Sequence, residues 1–165
     1  LKYEMFLKRN PKKHKGRLMP NVEKTLQYLN ENEPGIANLL LTGNTANAAR
    51  EKTAEYGIAQ HFDFRHGAYG DLAEERDELA KILYRRLLVD NLVQDPSQII
   101  VIGDTPNDAK CAAAIGARCL ILLAGSEFDK SSFGEHCGPY QPWQIWDKLP
   151  DDPAAFVSAL REAGN

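Results

Sequence analysis

The 165-residue sequence lacks most features that mark disulfide-rich, membrane-spanning or nucleotide-cofactor proteins. It has three cysteines and no Cys-x-x-Cys spacing, a usage typical of reduced thiols in the cytoplasm. No apolar run approaches the roughly 18 residues that a helix needs to cross a bilayer. Neither Gly-x-x-x-x-Gly-Lys nor Gly-x-Gly-x-x-Gly occurs, which argues against a nucleotide-cofactor fold.

Charge and composition exclude further classes of protein. The formal net charge of -3 gives no general case for binding nucleic acid. Hydrophobic residues make up 43% of the chain and charged residues 26%, so neither a disordered nor a fibrous protein is indicated. The length suggests one domain that buries a core of its own.

Strand-like and helix-like segments alternate along the chain. The predicted strands are residues 36–41, residues 62–66, a run that ends at Asp104, and residues 119–123. The predicted helices begin near Pro20, Thr45, Asp71, Ala109 and Asp152. Residues 124–142 are predicted to form a loop. The alternation predicts a Rossmann-like α/β fold, in which helices cover both faces of a parallel sheet.

The N-terminal segment has a different character. Residues 1–9 can form one amphipathic helix, and a basic stretch follows from Lys8 to Arg17. This stretch is either a solvated linker or a positive rim that attracts an anionic substrate.

The segment from Gln98 to Asp108 is the most informative in the sequence. Its apolar run ends in Gly103 and Asp104, and Asp108 follows four residues later. We expect Pro106 and Asn107 to form a turn that returns Asp108 to the carboxyl edge of the sheet, where open α/β folds bind their ligands. Two neighbouring carboxylates repel each other unless a cation lies between them, and oxygen ligands suit Mg²⁺. The alternative is that the two Asp residues only cap a helix and form a turn.

A second candidate site lies at the end of another predicted strand. Thr42, Gly43 and Asn44 place a hydroxyl and backbone N–H groups beside a helix start, which suits a phosphate oxygen. Arg76 lies near the start of the helix that follows the Gly67–Gly70 loop. The alternatives are a capping hydroxyl for Thr42 and a surface side chain for Arg76.

In this order and spacing, residues 20–125 resemble the haloacid dehalogenase-like (HAD) hydrolase superfamily. Thr42 matches the second motif of the family, a Ser or Thr after a hydrophobic strand. Gly103, Asp104 and Asp108 match the fourth motif, Gly-Asp-x-x-x-Asp. Arg76 is the best candidate for the Lys or Arg of the third motif, and Arg65 is the alternative.

The chain departs from the family in its first motif. That motif, Asp-x-Asp after the first strand, carries the nucleophile and the general acid/base, and no segment of this chain matches it. Residues 1–19 look like the end of a helical cap and its return linker, and residues 20–165 look like a HAD-like core without its first strand. We therefore expect a gap in the sheet and a nucleophile in a missing N-terminal segment. The alternative is a degenerate descendant that has lost the nucleophile.

The resemblance implies a Mg²⁺-dependent phosphatase that acts on a small phosphorylated metabolite through an aspartyl-phosphate. It implies that Asp104 binds Mg²⁺ directly, while Asp108 binds the ion directly or through water, or orients Asp104. The rival function is a non-catalytic α/β module that binds phosphate or metal. A phosphomutase also stays open, because the cap governs the access of water.

The resemblance also implies the phosphate ligands. Thr42 and the N–H of Gly43 would hold the phosphoryl oxygens, and Asn44 would orient the loop or contact the substrate. Arg76 would neutralise the phosphoryl group and position the nucleophile.

Overall fold

The computed structural model describes residues 17–162, in which six α-helices and five β-strands alternate. In chain order they are α1 (Val22–Asn32), β1 (Leu41–Thr42), α2 (Ala46–Glu55), β2 (Ala68–Tyr69), α3 (Arg76–Val89), β3 (Ile100–Gly103), α4 (Pro106–Ala113), β4 (Arg118–Leu122), α5 (Lys130–Cys137), β5 (Gln144–Trp146) and α6 (Pro153–Glu162). The predicted helix over residues 1–9 and the predicted end of the last helix at Gly164 lie outside the described residues. None of the helices in residues 17–162 combines the length and the apolar character that a membrane crossing requires.

The strands form two parallel sheets. β1 pairs with β2, with Thr42 opposite Tyr69. β3, β4 and β5 form the second sheet in that order, with Gly103 opposite Ile121. The described strands therefore form two separate sheets, and the expected place of a missing strand stays a prediction.

Three hydrophobic clusters cover the faces of the two sheets. One contains Leu40 of the β1 segment and Ile100 of β3, together with apolar residues of α1 and α6. A second packs apolar residues of α3 and α4 against Leu41 of β1. The third packs apolar residues of α4 and α5 against Val101 of β3 and Ile121 of β4. Both faces of the sheets are therefore covered by helices, as the sequence predicted.

The first two helices follow the sequence closely. Helix α1 buries Val22, Leu26 and Leu29 on one face and ends before Pro34-Gly35. Helix α2 begins after Thr45, whose hydroxyl accepts the Ala48 N–H at 3.3 Å.

The strand predicted over residues 62–66 was wrong. Asp63 Oδ1 accepts the backbone N–H groups of Arg65 at 2.9 Å and His66 at 3.4 Å, so the segment curls into a turn. Asp side chains compete with strand pairing in this way. The strand, β2, lies instead inside the predicted Gly67–Gly70 loop.

Two predicted helix starts were also wrong. The Leu72 N–H donates to Tyr69 O at 2.9 Å, so the chain turns after β2 and α3 begins only at Arg76. Helix α4 begins at Pro106 and not at Ala109. Proline is suited to the first helical position, where its missing N–H costs no helical hydrogen bond.

The loop predicted over residues 124–142 contains helix α5. Asp129 caps this helix by accepting the N–H groups of Ser131 at 2.9 Å and Ser132 at 2.8 Å. Phe133 and Cys137, one turn apart, bury its inner face.

Candidate functional site

The end of β3 is a buried, densely hydrogen-bonded turn. Asp104 follows the strand directly and is 4% exposed, and Asp108 on the first turn of α4 is completely buried. Asp108 Oδ2 accepts the N–H of Asp104 at 3.1 Å, the N–H of Thr105 at 2.9 Å and the Thr105 hydroxyl at 2.8 Å. Asp108 thus returns to the strand end as predicted, although Pro106 and Asn107 belong to the first turn of α4 and not to a separate turn.

Gly103 makes this return possible. A Cβ atom on Gly103 would lie 2.2 Å from Asp108 Cγ, so a larger residue would displace the carboxylate. Gly103 is therefore required in the Gly-Asp motif on steric grounds, because it leaves space for the Asp108 carboxylate.

A cation lies beside Asp108. Arg76 Nη2, at the start of α3, is 3.3 Å from Asp108 Oδ1. Burial raises the pKa of the Asp108 carboxyl, while the Arg76 guanidinium and the hydrogen bonds from Thr105 and Asp104 act in the opposite direction. The ion pair also joins the ends of two different sheets, because α3 follows β2 and α4 follows β3.

The end of β1 is a loop built from local contacts. The Thr42 hydroxyl accepts both the N–H of Asn44 at 3.2 Å and its side-chain amide at 3.0 Å. Gly43 packs against the loop that follows β2, since a Cβ atom on Gly70 would lie 2.0 Å from Gly43 O. The loop leads directly into α2, so the backbone N–H groups of the loop and the Thr42 hydroxyl precede the N-terminus of that helix.

The loop after β4 also contacts Asp104, which sequence reasoning missed. The Ser126 hydroxyl donates to Asp104 O at 2.6 Å. A Cβ atom on Gly125 would lie 3.0 Å from Asp104 Oδ2. No local pattern could have revealed these contacts, because 22 residues separate Ser126 from its partner.

The structure separates the two candidates for the third-motif cation. Arg76 contacts Asp108, whereas Arg65 is exposed and precedes β2, at the opposite end of that strand from the candidate site. The first candidate is therefore the one that can act with Asp104 and Asp108.

One carboxylate at this end of β3, that of Asp104, suits a Mg²⁺ ion. Mg²⁺ is commonly held by one or two carboxylates, with water and substrate phosphate completing its shell, and Asp104 offers such a ligand. Asp108 Oδ2 already has partners within the turn and Oδ1 is paired with Arg76 of α3, which favours an orienting role for Asp108. Within residues 17–162, no three His, Cys, Asp or Glu side chains form a metal-holding group by themselves.

Comparison with family models identifies the family of this chain. The profile of the haloacid dehalogenase-like hydrolases matches residues 5–116, about two thirds of the chain. This chain belongs to the haloacid dehalogenase-like hydrolase family. A second profile, described as HAD-hydrolase-like, matches residues 78–162 and so includes Asp104 and Asp108. No curated protein sequence gives a significant match.

Solved structures share the HAD-like fold. A predicted phosphoglycolate phosphatase from Haemophilus somnus has a TM-score of 0.65 and 22% identity, with 87% of this chain and 57% of that chain covered. A haloacid dehalogenase-like family protein from Streptococcus pneumoniae has a TM-score of 0.59 and 20% identity, with 87% and 60% covered. CbbY from Rhodobacter sphaeroides, in complex with phosphate, has a TM-score of 0.61 and 16% identity, with 81% and 55% covered. The chain thus spans between 55% and 60% of the length of these three proteins.

Proposed function

We propose that this chain is the phosphoryl-handling core of a Mg²⁺-dependent phosphatase that hydrolyses a small phosphate monoester. The observation that carries the proposal is the buried arrangement in which Asp108 accepts the Asp104 N–H and pairs with Arg76. Membership of a hydrolase family supports it, as do relatives described as phosphatases. Two structures of the relative CbbY contain phosphate or xylulose-(1,5)bisphosphate, which supports a small phosphorylated substrate.

The proposed roles follow from the chemistry of each side chain. Asp104 would hold Mg²⁺, and Asp108 would fix the turn that carries Asp104. When bound, Mg²⁺ supplies positive charge that offsets the charge developing on the phosphoryl oxygens. The Arg76 guanidinium, at the start of α3, would supply further positive charge to the phosphoryl oxygens. The ion pair with Asp108 holds this side chain in place.

The Thr42 loop would bind the transferred phosphoryl group. The Thr42 hydroxyl and the Gly43 N–H would donate to its oxygens, with the N-terminus of α2 behind them. Asn44 holds the Thr42 hydroxyl through its side-chain amide, so we assign it an orienting role in the loop.

The nucleophile would come from a segment outside this sequence. We propose an Asp-x-Asp segment whose first Asp forms the aspartyl-phosphate and whose second transfers the proton, on a strand between β1 and β3. Residues 1–19 would then belong to a cap and its return linker. The three cysteines are buried and form no disulfide within residues 17–162, which suits a reducing compartment, and we propose that the reaction takes place in the cytoplasm.

The experiment is an assay of the full-length protein against a panel of small phosphate monoesters, with and without Mg²⁺. We expect Asp104→Asn to lower Mg²⁺-dependent phosphate release by ~10²-fold or more, because it removes a charged ligand. Asp147→Asn changes an exposed Asp after β5 in the same way and should leave the rate unchanged. Equal rates in the two variants would refute the assignment of Asp104.

A second measurement separates catalysis from binding. A trapped aspartyl-phosphate, or its metal-fluoride mimic, would support the phosphatase. Phosphate or Mg²⁺ binding without any turnover would support the rival non-catalytic module.

A further inference from the structure

We propose that Ser126 is a positioning residue for Asp104, and that the Gly125–Ser126 pair forms a second support for the metal ligand. The inference rests on the proposed function, since it concerns how the chain holds a carboxylate for Mg²⁺. Ser126 lies after β4, outside every motif by which the site was predicted.

The backbone of Asp104 explains why such a support is needed. Strand β3 ends at Gly103, so the peptide groups on either side of Asp104 lie beyond the paired part of the strand. Its N–H donates to Asp108 Oδ2 at 3.1 Å, and its C=O accepts the Ser126 hydroxyl at 2.6 Å. Two side chains from different elements therefore hold the N–H and the C=O of the same residue.

The Ser126 hydroxyl has a fixed direction. Its oxygen accepts the Phe128 N–H at 3.1 Å while its hydrogen is donated to Asp104 O. Phe128 in turn stacks edge-on against Phe133 of α5, with ring centroids 5.7 Å apart. Ser126 thus ties the turn of Asp104 to the packed side of α5, and the hydroxyl has little freedom to rotate.

Gly125 acts at the carboxylate itself. A Cβ atom at this position would approach Asp104 Oδ2 to 3.0 Å and Met19 Sδ to 2.6 Å. The Met19 side chain is flexible and can move aside, but the carboxylate belongs to a turn held at both of its peptide groups. Gly125 therefore leaves the space in which Asp104 keeps its orientation.

The experiment measures Mg²⁺ affinity by calorimetry in the full-length protein, with Mn²⁺ as a spectroscopic probe of the same site. We expect Ser126→Ala to weaken Mg²⁺ binding by roughly 10-fold, the size of effect found when an outer partner of a metal ligand is removed. Ser126→Thr keeps the hydroxyl and should restore affinity to within about 2-fold. Gly125→Ala should also weaken Mg²⁺ binding, although it leaves the Ser126 hydroxyl in place.

Ser131→Ala is the matched control. It removes a hydroxyl from the first turn of the nearby helix α5, but that hydroxyl donates to Asp129 at 2.5 Å and not to Asp104. A Ser126→Ala protein that melts at a lower temperature yet binds Mg²⁺ normally would overturn the inference, because Ser126 would then only anchor a loop. If the unsubstituted protein binds no Mg²⁺, the proposed function itself fails, and this measurement is made first.

Discussion

The two strand ends that form the candidate site are held in different ways. At the end of β3, Asp104 and Asp108 are buried, and their partners come from α3 and the loop after β4. At the end of β1, the hydroxyl of Thr42 is bonded by Asn44, only two residues further on. The first end depends on packing across the whole domain, whereas the second depends on a short loop and its contact with one neighbour. Substitutions should therefore affect the stability of the protein most at the first end.

The largest effect is expected for the ion pair at the end of β3. Arg76→Met should lower the free energy of unfolding by about 3 kcal/mol, because it leaves the completely buried Asp108 without its cation. Arg161→Met is the matched control: Arg161 pairs with Glu33 while 70% exposed, and its loss should cost less than about 1 kcal/mol. Urea unfolding of both variants checks this difference, and similar losses would show that burial of Asp108 does not govern the effect.

A smaller effect is expected where β1 meets β2. Gly70→Ala should cost about 2 kcal/mol, since the added Cβ would lie 2.0 Å from Gly43 O, a backbone atom that cannot swing aside. We also expect weaker binding of inorganic phosphate, because the displaced backbone belongs to the proposed phosphate loop. Gly35→Ala adds the same atom where nothing lies within 4 Å, and it should leave both quantities unchanged. Normal phosphate affinity in Gly70→Ala would argue against the loop as the phosphate site.

The smallest effect concerns Asp129, outside both strand ends. Hydrogen bonds from the Ser131 hydroxyl and from the Ser132 N–H and hydroxyl lower its pKa from 3.8 to about 2. A lowered pKa in the folded state means that the stabilisation is complete above pH ~4 and is lost as pH falls towards 2. Asp129→Asn should therefore be less stable than the unsubstituted protein at neutral pH, and the two should converge at about pH 2. NMR titration of the Asp129 carboxyl gives the pKa directly, and an unshifted value would contradict the capping geometry.

The contrast between the two ends also explains which parts of the site the sequence could predict. The return of Asp108 to Asp104 could be predicted because a Gly, two Asp residues and a turn-forming segment are close in the chain. The Arg76 side chain could be assigned only through the resemblance to a family, since the sequence around it is an ordinary first helical turn. Ser126 could not be assigned at all, because nothing near it in the sequence indicates a partner 22 residues away.

The same reasoning applies to the fold. Helix α1 has periodic apolar residues and α2 has a capping residue, Thr45, and the structure confirms both helices. The strand predicted over residues 62–66 failed because one carboxylate, that of Asp63, captured the backbone N–H groups. Helix α5 was missed because it is short and mostly polar, and only Phe133 and Cys137 mark its buried face.

The separation of the strands into two sheets has a mechanical consequence. Within the part of the chain that the structure describes, the two sheets are joined through shared helices and side-chain packing, not through a common ladder. One sheet can therefore slide slightly past the other along α3 and α4 without breaking a strand-to-strand hydrogen bond. Such a shear would change the distance between Asp104, the proposed ligand of Mg²⁺, and Thr42, the proposed ligand of the phosphoryl group. A strand inserted between the two sheets would set this distance, so that completing the sheet would also fix the geometry of the site.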